Sequence, residues 1–120
     1  AHPNLSIVLD TYHLLTETRD YGAEIRRCAG HLWGLHASES DRGCPGGGLI
    51  PWESVFAALS DIGFDGAIVF ESYNTAIGDL AARRGLPAQL CPDGVAFLRR
   101  GMEFLTTQAA KAGIGATVPG

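Results

Sequence analysis

The sequence predicts an α/β fold built on a parallel sheet, and three observations point there. Three short apolar runs, residues 6–10, 32–36 and 67–71, are continuous rather than alternating, the pattern of strands covered on both faces. Segments with apolar residues at helical spacing lie between and after them. The runs end on Asp10, His36 and Glu71, which lie 26 and 35 residues apart and so bracket the roughly 30 residues of a βαβ unit. Three βα units in one domain over residues 1–120 therefore place these side chains at equivalent ends of consecutive strands.

In chain order, Ser6–Asp10 is the first strand, and Thr11-Tyr12-His13 is expected to be a polar loop at its end. Residues 20–29 read as a short helix with Tyr21, Ile25 and Cys28 or Ala29 on one face and Gly30 as its stop. Leu32–His36 is the second strand, and His31 links it to the helix before it. The polar cluster His36, Ser38, Glu39, Asp41 and Arg42 leads into Pro45 and Gly46-Gly47-Gly48, a tight, exposed loop.

Pro51-Trp52-Glu53 starts the next helix, because proline suits a first turn. Val55, Phe56, Leu59 and Ile62 form its apolar face, and Gly63 ends it. Asp65-Gly66 turns into the third strand. Beyond Glu71 a short helix from Ile77 to Arg84 is expected, interrupted by Pro87. A longer one capped by Asp93 should carry Phe97, Leu98, Met102 and Leu105 to about Lys111, before a frayed tail from Ile114 to Gly120. Three strands leave a bare sheet edge, so the physical unit should be larger than this chain.

Composition sets the bounds. With 120 residues, 46% hydrophobic and 18% charged, the chain fits an ordinary soluble domain. A net charge of −4 without a basic run argues against nucleic acid and anionic membrane as partners. No apolar stretch approaches the roughly 20 residues that span a bilayer, and Ala-His-Pro-Asn lacks a signal-peptide layout. Three cysteines (Cys28, Cys44, Cys91) without CxxC spacing fit a reducing cytoplasm. A start without methionine, a few residues before the first strand, is how an excised or truncated piece would look, and processing of the terminus explains it equally well.

Asp10, His36 and Glu71 offer two carboxylates and an imidazole, an O/N donor set suited to Mn²⁺, Co²⁺, Mg²⁺ or Fe²⁺ rather than to a closed structural zinc site. A metal there would polarise a carbonyl or stabilise an enediolate oxyanion. His13 and Arg42 would flank it as hydrogen-bond donors. Taken singly, Asp10 is more often a helix-capping or turn residue, and His36 more often a satisfied, partly buried histidine. Glu71, at the end of a buried strand, is costly unless paired or coordinated. Glu39 and Asp41 either orient Arg42 or are solvated, and Trp52 packs a helix start or mouth rather than touching ligand, with an aromatic beside the ligand as the alternative. The glycines at 46–48 lack the Lys-Ser/Thr of a phosphate loop and read as a flexible rim.

These residues resemble a known family. Leu9-Asp10-Thr11-Tyr12-His13, then His31 to His36 with Glu39 and Arg42, then Pro45-Gly46 to Pro51-Trp52, then Gly66 to Glu71 resemble the carboxyl-terminal half of the ketose 3-epimerases. These D-tagatose and D-psicose 3-epimerases belong to the xylose-isomerase-like TIM-barrel superfamily. The resemblance spans about residues 5–112 and implies the last part of a (β/α)8 barrel. It implies a metal, usually Mn²⁺ or Co²⁺, held by two glutamates, an aspartate and a histidine. Of these, Asp10, His36 and Glu71 match here. It implies that His13 and Arg42 hold the sugar, and that Glu71 is one of two acid/base groups that epimerise C3 of a ketose through a cis-enediolate. The other glutamate would lie about thirty residues upstream of Asp10, so this chain would carry part of the site.

Two other readings compete. One is a non-catalytic half-barrel that pairs with copies of itself, as a homo-oligomer, or with a missing amino-terminal half. The other is a dehydratase or hydroxypyruvate-type isomerase on the same fold. A phosphodiester hydrolase of the endonuclease IV kind would need more histidines and a basic surface, and neither is present.

Overall fold

The computed structural model describes residues 2–73, 79–85 and 93–115. The elements are β1 (Ile7–Asp10), α1 (Thr11–Glu17), α2 (Tyr21–Arg27), β2 (Leu32–Ala37), α3 (Trp52–Asp61), β3 (Ala67–Phe70), α4 (Leu80–Arg83) and α5 (Gly94–Lys111). The strands form one parallel sheet in the order β1-β2-β3. The three expected βα units are present.

Local chemistry explains the helices. Asp20 caps α2 by accepting from Ala23 N at 2.9 Å, and Asp93 caps α5 by accepting from Ala96 N at 2.6 Å. α3 has no side-chain cap, but its face of Val55, Phe56, Ala58 and Leu59 is fully buried, so packing rather than capping holds it. Gly63, at φ +61°, ends the turn after it in the left-handed region. The core lies on one side of the sheet: Leu35 and Ala37 are buried against α2, α3 and α5, with Leu9, Ile68 and Phe70 packed alongside. Phe70 stacks on Phe97 at 5.4 Å and lies so close to Gly101 that any Cβ there would strike its ring.

Several expectations change. Residues 11–17 are helical rather than a loop, because the Asp10 side chain accepts from Tyr12 N at 2.8 Å and Leu14 is buried. Leu98 is 53% exposed, and the buried stripe of α5 is Phe97, Gly101, Leu105, Gln108 and Ala109. Ala29 is exposed after α2 ends. Ile114 is not frayed: its N–H donates to Ala109 O at 2.9 Å, and its side chain packs on the core.

The strands are also not covered on both faces. Val8 and Val69 are 47% and 45% exposed. An extra residue, Trp33, bulges β2 between Leu32 and Gly34 and is exposed. The expected helix start at Ile77, the break at Pro87, Cys91 and the tail over 116–120 lie outside the described residues.

Candidate metal centre

Sheet register builds the site. Asp10 pairs with His36, and His36 with Val69, so the three share a row and a face. Side chains alternate along a strand, so Glu71, two residues beyond Val69, returns to that face. Its backbone N–H donates to Ala37 O at 3.1 Å, which extends the ladder one step past β3. Asp10, His36 and Glu71 each present a ligand atom, and these atoms lie within 4.8 Å of one another. All three side chains are half-buried, and no other such group occurs among the described residues.

Asp10 serves two purposes. Its Oδ1 caps α1, while its Oδ2 faces Arg42 at 3.2 Å. The cap and the ligand readings are therefore compatible, one oxygen each. His36 Nδ1 lies 3.1 Å from Glu71 Oε2. Two carboxylate oxygens and an imidazole nitrogen at this spacing suit a divalent cation of the Mn²⁺, Co²⁺ or Mg²⁺ kind.

Arg42 occupies the centre. It is buried, and Nη1 donates to Ser38 Oγ at 2.9 Å, to Asp10 Oδ2 and to Glu71 Oε2 at 3.4 Å. Its Nη2 lies 3.2 Å from His13 Nε2, and its guanidinium is 3.8 Å from the Tyr12 ring centroid. The Arg42 backbone sits at φ +61°, a left-handed conformation that arginine rarely adopts. Tyr73 N–H and Ser72 Oγ both donate to Arg42 O and hold it there. His13 is mostly exposed at the rim. Tyr12, His13, Arg42, Tyr73 and Arg84 line a cleft of about 300 Å³ beside the trio.

Glu39 departs most from expectation. It is neither solvated nor bonded through its side chain to Arg42; it is 1% exposed. Its carboxylate accepts from Ser40 N at 2.8 Å, Ile50 N at 3.1 Å, Gly46 N at 2.9 Å and Trp52 Nε1 at 2.9 Å. Burial by itself would raise this carboxyl, but the four donors outweigh it and hold Glu39 below the ordinary value of 4.5. The loop from 43 to 50 thus folds around a buried anion. A Cβ at Gly48 would strike Ser40 Oγ and the Glu39 carboxylate, so the close wrap requires glycine there. Only Gly46 to Leu49 form the exposed rim; Cys44 and Pro45 are buried. Asp41 is exposed and accepts from Gly43 N at 2.7 Å.

The sequence names Thr11 and Ser38 only as polar loop residues and does not reveal the bond between them. Thr11 Oγ1 donates to Ser38 O at 2.6 Å, and Ser38 N donates to Thr11 Oγ1 at 2.9 Å, which ties the end of β1 to the end of β2. The Tyr21 hydroxyl donates to Thr11 O at 3.1 Å, and burial, followed by the charges of Glu39 and Asp10, pushes this phenol up.

A parallel α/β sheet that gathers two carboxylates and an imidazole at its carboxyl edge keeps its chemistry where α/β barrels keep theirs. The profile of the xylose isomerase-like TIM barrel family matches residues 1–104, and the chain belongs to that family. It is 40% identical over 72 residues to the D-psicose 3-epimerase of Ruminiclostridium cellulolyticum, covering 60% of this chain and 25% of that protein. It is 40% identical over 93 residues to the ketose 3-epimerase of Arthrobacter globiformis, covering 76% and 32%. The crystal structure of a D-allulose 3-epimerase from Methylomonas sp. superposes with a TM-score of 0.81 at 31% identity, over 89% of this chain and 38% of that one. The chain thus spans about a quarter to a third of the length of these two curated relatives.

Proposed function

We propose that this chain is the carboxyl-terminal part of a metal-dependent ketose 3-epimerase, and that residues 1–120 form one incomplete barrel domain. The observation that carries the reading is the convergence of Asp10, His36 and Glu71 ligand atoms within 4.8 Å. Likeness to sugar epimerases supports the substrate class. Asp10, His36 and Glu71 would hold the ion, with Mn²⁺ or Co²⁺ favoured and Mg²⁺ also compatible with the donors. Bound there, a divalent ion would supply Lewis-acid polarisation of the ketose carbonyl.

Arg42 and His13 orient the sugar's oxygens from the cleft, as cationic and imidazole donors on the rim side of the trio. Tyr12 fixes the plane of the Arg42 guanidinium. Glu71 is the base or acid that moves the proton at C3 on one face of the sugar. The partner for the opposite face is a second glutamate that this chain does not supply. The remainder of the barrel covers Val8 and Val69, whose exposure favours association with a complementary segment or a second copy. Among the described residues no helix is long and apolar enough to cross a membrane, and the cysteine usage fits the proposed cytoplasmic location.

The test is hydrogen exchange at C3. Full-length protein with Mn²⁺, incubated with a free ketose in D₂O, is expected to place deuterium at C3 and to yield the C3 epimer. The EDTA-treated protein should do neither until Mn²⁺ is restored. Exchange at C1 alone would indicate an aldose–ketose isomerase instead.

A further inference from the structure

We infer that Arg42 is a built-in competitor of the metal ion, a fixed cation that weakens divalent binding at Asp10, His36 and Glu71. This rests on the reading of those three residues as ligands. Asp10 and Glu71 bring two negative charges to the site, and Arg42 Nη1 lies 3.2 Å and 3.4 Å from one oxygen of each. A divalent ion held by the trio therefore shares both carboxylates with a guanidinium. The three charged side chains sum to −1 rather than −2, and the affinity of a carboxylate site follows its charge count.

The arginine cannot easily withdraw. Its side chain is 5% exposed, bonded to Ser38 Oγ at 2.9 Å, and stacked 3.8 Å from the Tyr12 ring centroid. Its carbonyl is held by Ser72 and Tyr73, and its backbone is fixed in the left-handed region. A mobile surface arginine would move off when the ion arrived. This one stays within the same few ångströms, so its repulsion of the ion persists. In exchange, it keeps the two carboxylates from repelling each other when no ion is bound. The site is thus tuned for exchangeable rather than permanent metal.

The test is Mn²⁺ affinity, read from the free Mn²⁺ signal in electron paramagnetic resonance, with the EDTA-treated full-length protein. Arg42→Asn is the informative variant because asparagine tolerates the left-handed backbone. It is expected to tighten Mn²⁺ binding by at least roughly 10-fold, because it removes a like charge a few ångströms from the ion. Arg42→Lys, which keeps the charge but not the stacked fork, should tighten binding less than Arg42→Asn does. Unchanged or weaker binding by Arg42→Asn overturns the inference and makes Arg42 an orienting group for the ligands. Should Arg42→Asn not fold, Mg²⁺ is titrated into wild-type protein and the Arg42 Nε–H resonance is followed. A resonance that shifts yet stays protected from solvent exchange supports a fixed competitor, and one that exchanges faster or does not shift overturns it. Wild-type protein that binds no Mn²⁺ defeats the ligand assignment itself, a separate result.

Discussion

Replacement of Glu71 by glutamine is expected to lower C3 epimerisation by about 10³-fold while the fold stays intact, in line with the 10²- to 10⁴-fold span of general acid–base catalysis. Glutamine matches the shape of glutamate and keeps one acceptor for His36 and Arg42, which lie 3.1 Å and 3.4 Å from Oε2. It cannot take up a proton at neutral pH, and it removes one of the two negative charges of the trio. Mn²⁺ binding should therefore weaken at least about tenfold, as loss of a ligand charge requires. Chromatographic separation of the two ketose epimers, with circular dichroism as a check on folding, measures both halves. Activity within tenfold of wild type at saturating Mn²⁺ would remove Glu71 from the proton transfer.

The second large effect is on stability. Each Glu39 oxygen accepts two N–H groups, from Ser40 and Ile50 on one side and from Gly46 and Trp52 on the other. In Glu39→Gln, whichever way the amide points, two of these four donors face an NH₂ group. An orphaned buried donor costs about 1–3 kcal/mol, so the variant should lose about 3 kcal/mol and melt about 10 °C lower. The pH dependence has a definite sign. The folded Glu39 carboxyl lies below 4.5 and the unfolded one near it, so between those values the unfolded chain binds more protons. Stability from Glu39 is fully present above 4.5 and is lost as pH falls through the lower, folded value. Urea unfolding of both proteins should show a gap that narrows from pH 6 to pH 3, and a constant gap would contradict the buried-anion role.

The sheet and its two long helices are written plainly in the chain. Continuous apolar runs locate β1 to β3, and the spacing of Val55, Phe56 and Leu59, or the Asp93 cap, locates α3 and α5. α1 is hidden because its periodicity is too short to see: one buried leucine and a capping aspartate look like the end of a strand. Asp10 reads as either cap or ligand because each of its two oxygens has its own task. Glu39 is hidden for a different reason. Its partners are mostly backbone N–H groups of a glycine loop, and backbone donors leave no signature in residue types. The charge of Arg42 is visible in sequence, but its place between two carboxylates depends on a left-handed turn that no local pattern announces. The exposure of Val8 and Val69 is invisible too, because a strand lining a barrel and a strand within a finished sheet carry the same apolar letters.

Anomalous diffraction at the manganese edge, on crystals of the full-length protein soaked in Mn²⁺, tests the central claim most directly. A single strong peak is expected between the Asp10 and Glu71 carboxylates and the His36 ring, within ligand distance of all three. No peak there at saturating Mn²⁺, or an ion bound only elsewhere, would contradict it.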